Sequence, residues 1–511
     1  ALPNFAALMR SARYARMRNF GLYRTENSWL TLLQGNTAEQ SGEWGHQDYR
    51  PGTYEAIERG AYEFQQCPPF HALGKGRRVA VFDLPLTALV EDLEGLQLLG
   101  WGTEVNQIVQ QSSPPELLES MLSEYGPHPL YGSFVNTVDG TRTLSYRIPS
   151  VYDADGLMAL RDCLVQAVRT RTRILLDLLA RERWDLFVGV YAEAHTALHL
   201  LWHLSQPHPL RATMQGEIDG DPVLEVFRAI DAGLGEIIAA VAGDASLFVF
   251  SPHGMQANTL DLYSLAILPE FLYRWSTGRV ALCDGGADQP LQPPRLDYRR
   301  HWREEVWATR TELGESVLES PFDQENRRDP LDWSPANWYR RCWPTMRAFA
   351  LPGYSEGLVR VNVQGRDGPA GIPPERFGAA CDELTDLLER LVDSRSGRPL
   401  VDRILRIRQS PMDDVAGQPP ADLMVCWRED VVTDVAEHPE FGTFGPIPYF
   451  RTGGHSTEGF VFARGPSFGV GLRPEPISVP DLTAAVFRSL DMPVPAHVTG
   501  NPASLFGAPI T

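Results

Sequence analysis

The chain has few cysteines: six in 511 residues, at 67, 163, 283, 342, 381 and 426, with no two at CxxC spacing. CxxC-type zinc and redox motifs are therefore out of consideration. Cys163 and Cys381 fall in helical patterns and Cys426 in a strand pattern, so they read as reduced core residues. Such sparse cysteine fits a reducing compartment, and a cytoplasmic location is expected. No apolar run approaches the roughly 20 residues of a membrane-spanning helix, and no secretory signal is visible, so no membrane partner is expected. Basic charge is also short: 46 Lys and Arg stand against 65 Asp and Glu, a net charge of -19. That balance repels nucleic-acid backbones and anionic lipid, while a local basic pocket for one small anion is compatible with it. The oligomeric state is not legible. There is no internal repeat and no low-complexity tract.

What is present is ordinary for a soluble globular protein: 43% hydrophobic and 22% charged residues, which argues against disorder. The length exceeds one simple core, so two or three lobes, or one large domain with insertions, are expected. The opening stretch ALPNFAALMRSARYARMRN reads as a helix with apolar residues on one face and arginines on the other. RVAVFDLP (78–85), WDLFVGVY (184–191) and SLFVFS (246–251) read as buried strands, LVRVNVQGRDGPAGI (358–372) as a strand then a turn, and DLMVCW (422–427) as a strand. Helices are expected over 117–125, 155–183, 221–241, 260–275, 375–392 and 480–490, with Asp221 as N-cap and Pro222 at N1 of the third. Strands alternating with helices favour an α/β domain with a mostly parallel central sheet flanked by helices. Residues 284–357 break that rhythm. Rich in Trp, Arg and Pro, they predict an insert or cap over a core made of 1–283 and 358–511.

Chemistry concentrates in YAEAHTALHLLWH (191–203), which follows a strand and carries His195, His199 and His203. Histidines four apart share one helix face, and neutral imidazole is both a metal ligand and a proton shuttle. Against packing histidines stand two further signals, FSPHGM around His253 and TGGHSTEGF around His455, each placing a histidine beside an apolar run, where α/β sheets build their sites. Thr25 opens a helical pattern, and its plain reading is an N-cap. Ser28, His203, Glu193 and Asp83 are lesser candidates: His203 as a packing residue, Glu193 as a stand-in carboxylate ligand, Asp83 as the end of a strand.

Taken in order, LPNFAALM, TENSWLTLLQG, RVAVFDLP, YAEAHTALHLLWH, FSPHGM, RVNVQGRDGPAGI and GGHSTEGFVFARGP resemble the alkaline phosphatase superfamily, in particular its type I phosphodiesterase/nucleotide pyrophosphatase branch. The resemblance implies that fold, and hydrolysis of phosphate or sulfate esters at two metal ions, usually zinc, with a Thr or Ser nucleophile. In TENSWLTLLQG, Thr25, Trp29 and Gly35 fall at the family's intervals, so Thr25 is the implied nucleophile. His199 and His455 match histidine ligands of one metal, and His253 a ligand of the other. The family's aspartates are replaced: His195 and Pro252 stand in two of their places, and the early one is expected upstream of Ala1. His195, His199 and His455 then make a three-histidine site that suits zinc and leaves a position open, with one unit more positive charge than the usual set. The second site retains only His253, so a single divalent transition metal, zinc, is expected; either His253 then acts as a base toward Thr25, or the zinc generates hydroxide directly with Thr25 as a hydrogen-bonding neighbour. Three readings stay open: a metal-dependent phosphate ester hydrolase, an altered member with one metal or none acting on a biosynthetic intermediate, and a non-catalytic binding protein.

Overall fold

The computed structural model describes residues 2–22, 24–59, 66–102, 110–130, 135–138, 141–144, 148–214, 216–283, 302–413 and 417–506; the side chains of 24–26, 135–138 and 141–144 are not covered. The chain opens with α1 (Pro3–Ser11), whose first turn is held by Asp231: its carboxylate accepts the Asn4 and Phe5 backbone N–H at 3.1 and 2.8 Å. The helix expected over the whole opening stretch stops there. Arg13–Arg18 is instead a strand, β1, with Ala15 and Met17 buried and Arg16 and Arg18 exposed. Six residues cannot separate a helical period from an alternating one, and sheet pairing decided the matter.

After α2 (Arg24–Gln34), a mixed sheet forms from β2 (Val79–Phe82), β3 (Gly95–Leu99) and β4 (Gln111–Ser113). Two helices follow, α3 (Glu116–Tyr125) and the long α4 (Ala154–Ala180), then β5 (Leu186–Gly189) and α5 (Glu193–Leu200). Next comes α6 (Pro222–Ala240), where the Asp221 side chain accepts from Leu224 N at 3.0 Å as an N-cap with Pro222 behind it. β6 (Leu247–Ser251) and β7 (Gly254–Ala257) precede a π-helical turn at Tyr263–Ile267 that runs into α7 (Leu268–Thr277).

A second lobe is an antiparallel sheet of β8 (Ala348–Leu351), β9 (Gly357–Val361), β10 (Val401–Arg406) and β11 (Leu423–Trp427), ordered β8-β9-β11-β10, with α8 (Phe377–Leu388) packed on it. The chain then returns through β12 (Gly453–Ser456) and β13 (Glu458–Arg464) to α9 (Val479–Ser489). Of the segment expected to be a cap, residues 284–301 lie outside the described residues. The remainder is ordered by its tryptophans: Trp307, Trp338 and Trp343 are buried in one large apolar cluster with α7, β8 and α8.

The α/β class stands, but parallel pairing is local. Among the described residues it joins β2 to β3 and β5, and β1 to the short segments 471–472 and 477–478. Elsewhere β13 runs antiparallel between β6 and β1. The two sheets share their flanking layers. Val188 of β5 and Phe248 and Phe250 of β6 pack with α2 and α9, while Phe187 faces α4 and Val249 faces α1 and α6. β5 ends one sheet and β6 ends the other, and a cavity of about 900 Å³ is lined by both edges. Both strands lead directly into histidine-bearing segments.

Candidate metal centre

α5 begins four residues after β5 ends, so its first turns project over the sheet edge. His195 and His199 lie one turn apart on it, His199 fully buried and His195 half-buried. The third imidazole arrives from β12, which is drawn against α5 by a Gly-Gly pair. A Cβ on Gly453 would lie 2.0 Å from the Leu198 carbonyl oxygen, so only glycine permits this approach. β12 pairs with β7 in the register Met255 to His455, and that pairing brings His253, just ahead of β7, to the same place.

The result is a triangle of nitrogens. His195 Nε2 is 2.9 Å from His455 Nε2 and 3.0 Å from His199 Nε2, and the third side is 3.2 Å. Among the described residues this is the one group of three His, Cys, Asp or Glu side chains able to share a metal ion. His199 Nδ1 donates to the Gly453 carbonyl at 2.6 Å, which leaves the lone pair on Nε2, facing the other two rings. Burial, then Arg451, His195 and His455 in that order, hold His199 well below the ordinary imidazole pKa, so it is neutral.

These residues fit a zinc ion. With Zn–N bonds of about 2.0–2.1 Å, tetrahedral ligands stand roughly 3.3 Å apart, and the observed sides need to open by only a few tenths of an ångström. His253 is not a fourth corner. Its ring stacks on His455 at 4.1 Å and 20°, and its Nδ1 donates to the Gly254 carbonyl at 3.0 Å. Burial and the neighbouring His195 push it down to about 4, so it too is neutral.

Arg451 escaped the sequence reading. Its guanidinium pairs with buried Asp261 at 2.5 Å, lies over Tyr354 and Phe450 at 5.1 and 5.8 Å, and places NH1 3.1 Å from His199 Nε2. Its position four residues before His455 was the available signal; the contact itself comes from folding. Thr25 is the second residue of α2 rather than its N-cap, and its side chain lies outside the described residues. α2 is tied to the site by Asn19, whose side-chain NH₂ donates to the carbonyls of Ser28 at 3.1 Å and Pro252 at 2.9 Å.

The lesser candidates resolve as follows. Ser28 is buried within α2. His203 is buried with Nδ1 2.9 Å from Thr452 Oγ1, away from the triangle, as a packing residue should be. Glu193 is not a stand-in ligand: its carboxylate is engaged by Arg171 and His128. Asp83 does end a strand, at φ 58°, and accepts the Trp101 and Gly102 N–H groups. The six cysteines form no disulfide among the described residues, and no described helix is long and apolar enough to cross a membrane.

The model of the family described as type I phosphodiesterase/nucleotide pyrophosphatase matches residues 1–330. Curated proteins yield no match. Solved structures similar to the chain include murine ectonucleotide pyrophosphatase/phosphodiesterase 5, at 12% identity, with 98% of this chain and 92% of that one covered and a TM-score of 0.45. Phosphonoacetate hydrolase from Sinorhizobium meliloti 1021 gives 13%, 96%, 89% and 0.44 for the same quantities. A mutant of alkaline phosphatase PafA gives 10%, 98%, 94% and 0.45.

Proposed function

The chain belongs to the type I phosphodiesterase/nucleotide pyrophosphatase family, a family of phosphoric ester hydrolases, and we propose that it hydrolyses small anionic phosphate esters, diesters or nucleotide-like, at a single zinc ion held by His195, His199 and His455. The observation that carries this is the triangle of Nε2 atoms 2.9–3.2 Å apart. When bound, the ion supplies charge neutralisation and Lewis acidity at a substrate oxygen.

The remaining work falls to side chains of this chain. Thr25 is the nucleophile in this reading, at the start of a helix whose backbone N–H groups and dipole favour an anion. His253, neutral and stacked behind His455, is the base that takes the Thr25 proton. Arg451, held by Asp261, supplies a guanidinium for the ester's anionic oxygens. Trp302, Arg303, Asp332, Trp333 and Tyr354, which line the far side of the cavity, make the cap. A cytoplasmic site of action completes the proposal, supported by six cysteines that form no disulfide among the described residues.

One observation favours a second reading. Arg451 Nη1 lies 3.1 Å from His199 Nε2, the atom whose lone pair a metal needs, so the same residues also suit a metal-free site in which Arg451 provides the positive charge. A chromogenic phosphodiester assay on protein purified without chelator separates the two. The zinc reading requires about one equivalent of zinc, and activity lost on chelation and in Thr25→Ala and His199→Ala. Activity that survives both chelation and His199→Ala, and falls in Arg451→Ala, establishes the second reading instead.

A further inference from the structure

Behind the histidines lies a buried ionic cluster that the proposed chemistry does not use. Arg171, from the middle of α4, is fully buried, and its Nε donates to both Glu193 oxygens at 2.8 and 2.9 Å. Its other two nitrogens reach Asp83 at 2.7 Å and the Gly102 carbonyl at 3.2 Å. His128 Nδ1 accepts the Leu130 N–H at 3.2 Å, so its Nε2 carries the proton and donates to Glu193 at 3.0 Å. The guanidinium also lies 5.0 Å from the ring of Trp101 and 5.4 Å from that of Phe82. A Cβ on Gly102 would stand 2.3 Å from His128 Cδ2 and 2.6 Å from Arg171 Nη2, so the cluster closes only around glycine.

Glu193 is the first residue of α5, and α5 is the helix that carries His195 and His199. The residue at its N-cap is Ala192, which gives no side-chain capping bond. Alanine is a poor cap, so the sequence at this point does little to fix where the helix begins. A shift of one residue in the register of the first turn rotates the side chains there by about 100° around the helix axis, which takes His195 off the triangle and strains the turn that leads to His199. The far end of α5 is fixed by β12, where Thr452 N–H donates to the His199 carbonyl at 2.9 Å. Only the near end needs a separate anchor. A fully buried ionic cluster is weak evidence of net stabilisation; setting a register is the better-attested use of such a group.

We propose that Arg171 is a positioning residue for the histidine site: by gripping Glu193 and Asp83 together, it fixes the start of α5 and so the directions of His195 and His199. This rests on the reading that the three histidines bind a metal. Lysine keeps the charge at 171 but has no planar fork to hold two carboxylates.

The test uses the full chain as wild type, Arg171→Lys and Glu193→Gln. Zinc affinity is measured by chelator competition, the visible spectrum of the cobalt-substituted protein reports ligand geometry, and thermal unfolding is followed in parallel. Arg171→Lys should lose about 10–100-fold in zinc affinity, the range for residues that orient metal ligands. Its cobalt bands should shift at temperatures where its far-ultraviolet circular dichroism matches wild type. Glu193→Gln, the same shape without the charge, should move both readouts in the same direction and is decisive if the lysine variant does not fold. Wild type that binds neither zinc nor cobalt overturns the metal reading itself. Wild type that binds both, with variants that lose thermal stability but keep affinity and spectrum, overturns the positioning role alone.

Discussion

His199→Ala removes one of the three Nε2 atoms that stand 2.9–3.2 Å apart and leaves the fold's larger contacts in place. Structural zinc sites with four ligands bind with roughly 10–16 kcal/mol of free energy near neutral pH, so one imidazole accounts for about 3 kcal/mol. At about 1.4 kcal/mol per factor of ten, the loss is about a hundredfold to a thousandfold in zinc affinity. His195→Ala and His455→Ala should fall in the same range, because each supplies one corner. His253→Ala is the informative control: its ring stacks on His455 at 4.1 Å without joining the triangle, so its removal should cost about tenfold or less. Competition against a chromogenic chelator measures all four, with circular dichroism confirming the fold and His199→Gln available if the alanine variant unfolds. A His199→Ala protein that binds zinc as tightly as wild type refutes the reasoning, and so does a His253→Ala protein as impaired as the other three.

Three further outcomes follow from the structure. Gly453→Ala puts a methyl 2.0 Å from the Leu198 carbonyl oxygen, and should destabilise by roughly 1–3 kcal/mol or more and weaken zinc binding, read by urea unfolding and the same competition assay. Asp231→Ala strips the acceptor from the first turn of α1 and should cost about 1–3 kcal/mol in urea, with no change in zinc affinity. His71 is fully buried, neither ring nitrogen has a hydrogen-bond partner among the described residues, and burial pushes its pKa down to about 4. Its unfolded form takes up a proton below about pH 6.5 that the folded form refuses, so this group costs stability as pH falls from about 6.5 toward 4, at up to about 1.4 kcal/mol per unit. His71→Leu should therefore narrow the gap between unfolding free energies at about pH 7 and about pH 5 by about 2 kcal/mol, and an unchanged gap would count against the buried-neutral assignment.

The sequence on its own determined the strong local features. Apolar runs bounded by turn residues marked β2, β5, β6 and β11 as strands. β2 and β11 are buried over their length, whereas β5 and β6, expected to be buried too, are only half-buried because they edge their sheets beside the cavity. Asp221-Pro222 marked the start of α6, because capping is settled within one turn. The spacing of His195 and His199 put them on one face of a helix before any fold was known. What the tertiary structure alone decided was everything that joins distant segments. Arg13–Arg18 became a strand because β13 and two short segments near residues 471 and 477 pair with it, which six residues cannot announce. The partner of His195 and His199 is a histidine more than 250 positions away, brought in by a strand that approaches only because Gly453 has no side chain. Glu193, a lesser ligand candidate from its place in the chain, is gripped instead by an arginine 22 residues earlier. Local sequence encodes periodicity and caps because those are short-range steric and hydrogen-bonding preferences. Which nitrogen faces which depends on packing across the whole chain, and that is why the triangle and the cluster behind it became visible only in three dimensions.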